Sequence, residues 1–206
     1  LAQLPDLLHR TLFRTISLLT PYGQSLVLRR YFDWWHRSPD PWLLASSPYE
    51  QRKYEETLKA LPDRTYRTII DVGCSEGVFT GMLAAARPEA EITGVDISET
   101  ALTRARRNAP SVRFVQSDLF SLTGHYDLVV CSETLYYLGG RLEDASDRLC
   151  GLLAPEATLV SVHPWPEARR LHRFFEARLD PGGERIIEDT DRPFVISCYF
   201  GTGRRG

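Results

Sequence analysis

Lysine is almost absent from this 206-residue chain: only Lys53 and Lys59 stand among 25 basic residues, the rest being arginine. That bias reads as genome composition and carries no functional weight. Cysteine is also sparse. Cys74, Cys131, Cys150 and Cys198 lie far apart, with no metal-ligand spacing. Three of them fall where strand, strand end or apolar helix face is expected, and there cysteine packs as a small hydrophobe. No metal is expected, and the cysteine usage suits a reduced, cytoplasmic protein. No apolar run reaches the ~18 residues of a transmembrane helix, so no membrane partner is expected. The chain opens on Leu1 without the basic, apolar, small-residue order of a signal peptide. Its lack of an initiator Met reads as a trimmed start with upstream sequence absent. No internal repeat or low-complexity tract occurs. A net charge of -2 gathers no polyanion, which disfavours nucleic acid as a partner.

What is there suits one α/β domain with some decoration. Over residues 1–61 the texture is helical. Leu8, Leu12, Ile16 and Leu19 recur at helical spacing until Pro21 and Gly23 break the pattern. A second helix is expected from Gln24 to about His36, then a proline-rich loop through Asp40-Pro41-Trp42. Ser47-Pro48-Tyr49-Glu50 reads as a helix start, with Ser47 as cap, Pro48 in the first position and Glu50 completing a capping box. Tyr54, Leu58 and Leu61 share one face of that helix.

From Thr65 onward strand alternates with helix, which predicts a mostly parallel sheet. Strands are expected at 68–72, 91–95, 112–116, 126–131 and 158–162, and helices at 78–86, 99–108, 141–153 and 166–179. Two further β-rich runs, 184–188 and 194–200, close the chain as an antiparallel hairpin. The expected architecture is a Rossmann-like, seven-stranded α/β sheet with an N-terminal helical extension. Residues 1–61 form that extension, a lid, and residues 62–206 the cofactor-binding domain.

The segment Asp71-Val72-Gly73-Cys74-Ser75-Glu76-Gly77 follows an apolar strand and opens a helix. Glycines there let the chain turn tightly and bring backbone N–H groups against a ligand at the helix N-terminus. Dinucleotide enzymes carry G-x-G-x-x-G at this place to bind a pyrophosphate. Here the pattern is G-x-S-x-G with Asp71 just before it, and a carboxylate repels a pyrophosphate. It suits a cation such as the ammonium and sulfonium of S-adenosylmethionine (SAM). Asp96 ends the second strand with Ile97 and Ser98 beside it, about twenty residues on, where a carboxylate accepts from both ribose hydroxyls of an adenosine cofactor. Alternatively, Asp96 or Ser98 simply caps the next helix. After the third strand, Asp118 is placed to accept from an adenine amino group and Leu119 to pack on the ring, unless Asp118 is a solvated loop acid. Ser132 and Glu133 follow the fourth strand, beside the switch point where ligands of open α/β sheets lie.

Together these residues resemble class I SAM-dependent methyltransferases over roughly residues 65–200. Gly73-Cys74-Ser75-x-Gly77, Ser132-Glu133-x-Leu135-Tyr136-Tyr137-Leu138, Asp40-Pro41-Trp42 and Ser47-x-Tyr49-Glu50-x-Arg52-Lys53-Tyr54 resemble, more narrowly, the nodulation protein S (NodS)-type group. That resemblance implies methyl transfer to an amino sugar. It also implies that residues 42–54 fold over SAM, Trp42 among them, with Tyr49 or Arg52 near its carboxylate. Two departures stand out: Ser75 where many methyltransferases carry Gly, and the acid Glu76 where an apolar or neutral residue is usual.

Methyl transfer from a sulfonium needs mainly alignment and exclusion of water. A base is needed only for the proton of an ammonium or hydroxyl acceptor. The candidates are Glu133 and His163, both at strand ends; His9, His36, His125 and His172 lack motif context and read as structural. The cluster Tyr31, Phe32, Trp34, Trp35 and Trp42 suits three uses: stacking on the acceptor, fixing the N-terminal helices to the sheet, or a homodimer interface. Three rival readings remain. An α/β-hydrolase would use Ser75 as nucleophile, His163 as base and Asp127 or Glu133 as orienter, but it lacks upstream strands and an oxyanion loop. A nicotinamide dehydrogenase fits the glycine spacing worse. A SAM-binding scaffold needs no acceptor pocket. A small-molecule acceptor is the expected partner, with S-adenosylhomocysteine as the cofactor product.

Overall fold

Seven strands line up in the order β3-β2-β1-β4-β5-β7-β6 in the computed structural model, which describes residues 6–201 and, for residues 6–10, the backbone alone. They are β1 (Thr68–Val72), β2 (Glu91–Asp96), β3 (Arg113–Gln116), β4 (Tyr126–Ser132), β5 (Leu153–Pro164), β6 (Asp180–Ile187) and β7 (Phe194–Phe200). The first five are parallel, and β7 runs antiparallel between β5 and β6. A parallel sheet covered on both faces needs strands that are apolar throughout. Leu128, Val129, Val130 and Cys131 of β4 accordingly have no exposed surface.

One face is covered by α3 (Pro48–Ala60), α4 (Val78–Ala86) and α5 (Glu99–Asn108). The other is covered by α6 (Leu142–Gly151), α7 (Ala168–Glu176) and two 3₁₀ turns, Leu119–Ser121 and Leu135–Leu138. α1 (Asp6–Ile16) and α2 (Pro21–Trp35) make a third cluster, in which Phe13, Ile16, Leu28 and Phe32 pack with Ile97 and Tyr137. The expected seven-stranded mixed sheet is therefore present, with its C-terminal hairpin.

Local expectations fare unevenly. Pro21 opens α2 rather than merely breaking a pattern: it needs no N–H donor at the first position, and Thr20 caps the turn by accepting from the Gly23 amide at 3.1 Å. On α1 the buried residues are Phe13 and Ile16, whereas Leu12 and Leu19 are exposed; Leu8 and His9 lie outside the residues whose side chains are described. Ser47 precedes α3 without a side-chain cap bond, and no capping box closes: the Ser47 amide donates to the Leu43 carbonyl and the Glu50 carboxylate pairs with Lys53, each at 2.8 Å. Among the described residues no helix is long and apolar enough to cross a membrane, and no cluster of three or more His, Cys, Asp or Glu side chains is poised for a metal.

Candidate active site

β1 pairs with β2 on one side and β4 on the other, so the crossover connections leave a crevice beyond their C-terminal ends. A cleft of about 1250 Å³ opens there. Single-ligand pockets run about 300–1,000 Å³, so this cleft is larger than most of them. Its floor comes from residues 71–75, 95–97, 117–120 and 132–134. Leu28, Tyr31, Phe32 and Trp35 of α2 and residues 41–44 form the roof, and Trp165, Arg170, Arg173 and Phe174 form the far wall.

The floor is a backbone construction. Gly73 and Cys74 both donate to the Val95 carbonyl, at 2.8 and 3.0 Å, which folds the turn onto β2. Gly73 sits at φ 82°, and a Cβ there would stand 2.1 Å from Thr134 Oγ1, so the turn can pass this side chain only as glycine. Asp96 receives the Ser75 amide on one carboxylate oxygen and the Ser98 amide on the other, each at 2.9 Å. Each oxygen keeps a second lone pair for the cleft. Burial raises the Asp96 carboxyl pKa, opposed by those amides. Asp71 is buried beneath the turn and accepts from Thr80 Oγ1 at 2.6 Å; burial pushes its pKa up to about 6.

Trp42, Asp71, Gly73, Cys74, Ser75, Asp96, Ile97, Asp118, Leu119, Ser132 and Glu133 all line the cleft. Five expected residues do not. Ser98 is fully buried as the cap of α5, accepting from Ala101 N–H and donating to Asp33 at 2.7 Å. Gly77 opens α4 at φ 73°, and a Cβ there would meet Ala105 and Phe114 at 2.9 Å, so it serves close packing. Tyr49 packs edge-on against Phe194. Arg52 points outward to pair with exposed Asp189 at 2.7 Å. His163, the fifth, is taken up below. Asp118 keeps its place on the wall while capping the turn at Leu119–Ser121, accepting from the Ser121 amide and hydroxyl.

Of the histidines read as structural, His36 lines the cleft and His172 lies outside it. His36 donates from Nδ1 to the Phe32 carbonyl at 2.9 Å, so its Nε2 accepts from the Ser75 hydroxyl at 3.0 Å. That hydroxyl explains Ser75 in place of glycine. The hydrolase reading fails on the same geometry: Ser75 meets His36, which has no carboxylate behind it. Asp127 lies at the opposite end of β4, accepting from the Arg67 and Thr68 amides. Glu76, the other departure, accepts from the Asp40 amide at 3.1 Å and pairs with Arg104 at 2.9 Å, which also donates to the His36 carbonyl. His172 is buried against His163, their ring nitrogens 3.0 Å apart.

The catalytic candidates separate. Glu133 borders the cleft at φ 54°; it accepts from Lys53 Nζ at 3.1 Å and from the Tyr136 hydroxyl at 3.1 Å. Lys53 is buried between Glu133 and Glu50. Burial alone lowers an ammonium's pKa, but the two carboxylates outweigh it and hold Lys53 above its ordinary value. His163 is absent from the cleft wall and wholly buried. Its Nε2 accepts from the Leu135 amide at 3.3 Å, and burial followed by the Lys53 charge drags its pKa down to about 3. No proton acceptor of His163 faces a ligand.

The family model of nodulation protein S (NodS) matches residues 22–172. The chain belongs to the NodS family. It is 37% identical over 130 residues to nodulation protein S of Bradyrhizobium diazoefficiens, covering 59% of this chain and 61% of that protein. It is 32% identical over 126 residues to the trans-aconitate 2-methyltransferase of Paracidovorax citrulli, covering 59% of this chain and 48% of that enzyme. The chain thus spans about half to three-fifths of these relatives. In fold it is similar to the N-methyltransferase NodS of Bradyrhizobium japonicum WM9, solved in complex with S-adenosyl-L-homocysteine, with a TM-score of 0.75 at 21% identity over 84% of this chain and 97% of that one. The NodS match begins at residue 22, so it takes in nearly all of α2, then α3 and strands β1 to β5, and stops before β6 and β7.

The aromatic cluster in this NodS-family chain is largely spent on itself. Trp35 stacks between Tyr31 and Trp42, each ring 5.9 Å away, and Phe32 meets Tyr137 edge-on at 4.9 Å. Fixing α2 to the sheet edge is the use that these contacts support, with Trp34 left half-exposed.

Proposed function

We propose that this protein transfers the methyl group of SAM to a small-molecule acceptor, an amine before a hydroxyl. The observation that carries the reading is the Asp96 carboxylate, clamped by two backbone amides beside the left-handed turn at Gly73. It offers two aligned acceptors to a ribose diol. Ile97 and Leu119 would flank the adenine, with Asp118 accepting from its amino group. Asp71, with the 73–75 backbone, would face the positive end of the cofactor. SAM itself supplies an electrophilic methyl on a good leaving group. The residues before 62 serve as a lid on the SAM-binding remainder, a division supported by the His36–Ser75 and Asp33–Ser98 bonds.

At the acceptor end, Glu133 is the group we assign to receive a proton. Two carboxylates, Glu50 and Glu133, share one Lys53 ammonium, so this corner of the cleft is net negative and favours a cationic amine, while Arg170 and Arg173 line the far wall. An amino sugar or glycosylated amine is the class most consistent with this and with NodS relatives. In-line alignment and exclusion of water supply most of the acceleration, and the aromatic roof of α2 provides the exclusion. The test is calorimetry with SAM and with NAD, followed by transfer of labelled methyl to panels of amino sugars, glycosides, phenols and carboxylic acids. SAM binding with turnover on an amine is expected. No SAM binding would sink the reading, and binding without any turnover would reduce it to a SAM-binding scaffold.

A further inference from the structure

β4 and β5 pair in register as far as Ser132 and Val162. Beyond that point β4 turns away, yet two amides of the turn still find acceptors on the end of β5. Glu133 N–H donates to the Val162 carbonyl at 2.9 Å, and Leu135 N–H donates to the His163 ring at 3.3 Å. The imidazole takes over where the strand ladder stops. Between the two bonds lies Glu133 at φ 54°, a left-handed conformation that a non-glycine residue keeps only where its surroundings impose it.

A neutral imidazole that accepts at Nε2 carries its proton on Nδ1. His163 Nδ1 lies 3.0 Å from His172 Nε2, and His172 Nδ1 lies 3.1 Å from Ser197 Oγ. Ser197 in turn donates to Glu184 Oε2 at 3.3 Å. One direction of donation satisfies the whole chain: His163 to His172, His172 to Ser197, Ser197 to a carboxylate that can only accept. Ser161 Oγ lies within 3.2 Å of the facing nitrogens of both rings. Both histidines and both serines are buried, while Glu184 is exposed and borders, with His172, a separate cavity of about 210 Å³. Burial keeps both rings neutral, with His163 at about 3 and His172 lower still.

We propose that His163 is a positioning residue, locked by the His172–Ser197–Glu184 chain in the tautomer that accepts the Leu135 amide, and that it thereby holds Glu133 and Tyr136 on the cleft wall. The inference rests on the proposed function only for the use made of Glu133; the tautomer and the turn stand apart from it.

Nitrogen-15 NMR of the wild-type imidazoles is the first test. Both rings should show the Nδ1–H tautomer, unchanged between pH 8 and pH 5; an Nε2–H His163, or one that titrates in that range, overturns the proposal. The second test replaces the ring. His163→Leu removes the acceptor, whereas His163→Gln returns a carbonyl oxygen near the place of Nε2. Hydrogen exchange of the Leu135 amide should quicken about tenfold in H163L and return to within about threefold of wild type in H163Q. SAM affinity by calorimetry should stay within about threefold in both. Methyl transfer to glucosamine as the probe acceptor should follow the exchange result, falling in H163L and recovering in H163Q. If Gln is as impaired as Leu in exchange, or if Leu leaves exchange unchanged, the positioning role is wrong. Should SAM bind but glucosamine take no methyl, the acceptor reading suffers while tautomer and exchange still decide this one.

Discussion

The two sides of the cleft obey different rules. On the sheet side the ligand-facing groups are set by the backbone. Gly73 is forced by the 2.1 Å approach of Thr134, and Asp96 by the two amides it closes at a strand end. On the helical side a single residue of phase decides between cleft and solvent. Lys53 is buried between Glu50 and Glu133, while its neighbour Arg52 reaches outward to Asp189. The sheet side is thus suited to one cofactor whatever the acceptor, and the helical side is where this protein becomes individual.

The comparison breaks most directly at Asp96. Two hydrogen bonds to a charged group contribute about 4 kcal/mol together, or roughly a thousandfold in affinity. Asp96→Ala should therefore raise the Kd for SAM about a thousandfold by calorimetry, with the fold retained by circular dichroism. A loss under tenfold would mean that the sheet side does not carry cofactor binding.

On the helical side the informative pair is Lys53→Met against Arg52→Met. Removing the buried cation leaves two carboxylates facing each other, which costs about 3 kcal/mol. The exposed Arg52–Asp189 pair is screened by solvent on both partners and contributes far less. Urea denaturation should separate the variants accordingly. Lys53 keeps its pKa above the ordinary value, so its stabilisation is complete at neutral pH and is lost only as pH rises through that raised pKa. Equal midpoints for the two variants would erase the distinction between the helix faces.

The same contrast explains what was legible beforehand. Strand ends and glycine turns follow from backbone rules, so the sheet and most cofactor-facing residues could be read from spacing. Helix faces need a phase, and a pattern of i, i+3, i+4 fixes it only when all its members are counted. Glu50, Lys53, Tyr54 and Thr57 form the buried face of α3, with three polar members that a search for apolar residues passes over. Gln24, Leu28, Phe32 and His36 recur at four-residue intervals along α2 and are all buried, which is the signal that would have found His36. For His163 the sequence offers only a strand end followed by the rigid Pro164-Trp165-Pro166 loop. Its role depends on His172, Ser161 and Ser197, brought together only by β5, α7 and β7.

Asp71 offers a smaller, pH-dependent effect on the sheet side. Its carboxyl titrates near 6 rather than at the ordinary 3.8, so in the free protein its burial is a stability cost that develops as pH rises from 3.8 toward about 6. A cationic ligand favours the ionised form and reverses that cost. The Kd for SAM should accordingly rise about tenfold between pH 7 and pH 5, with proton release detectable by calorimetry in buffers of different ionisation enthalpy. Asp71→Asn should flatten the profile. A flat wild-type profile would remove Asp71 from the cation's surroundings.

The smallest expected effect lies where the two sides meet. His36 reaches from the end of α2 to the Ser75 hydroxyl, its Nδ1 tied to the Phe32 carbonyl so that Nε2 can only accept. One buried neutral hydrogen bond contributes about 1 kcal/mol, or roughly fivefold. Arg104, Glu76 and the Asp33–Ser98 bond still fasten the same segment in its absence. His36→Leu should therefore speed SAM release about fivefold in stopped flow while leaving the association rate within about twofold. The effect should be matched, not doubled, in the His36→Leu/Ser75→Gly double variant, because both changes remove the same bond. Additive losses would mean that His36 and Ser75 act separately, leaving the Glu76, Arg104 and Asp33 bonds as the ties of this segment.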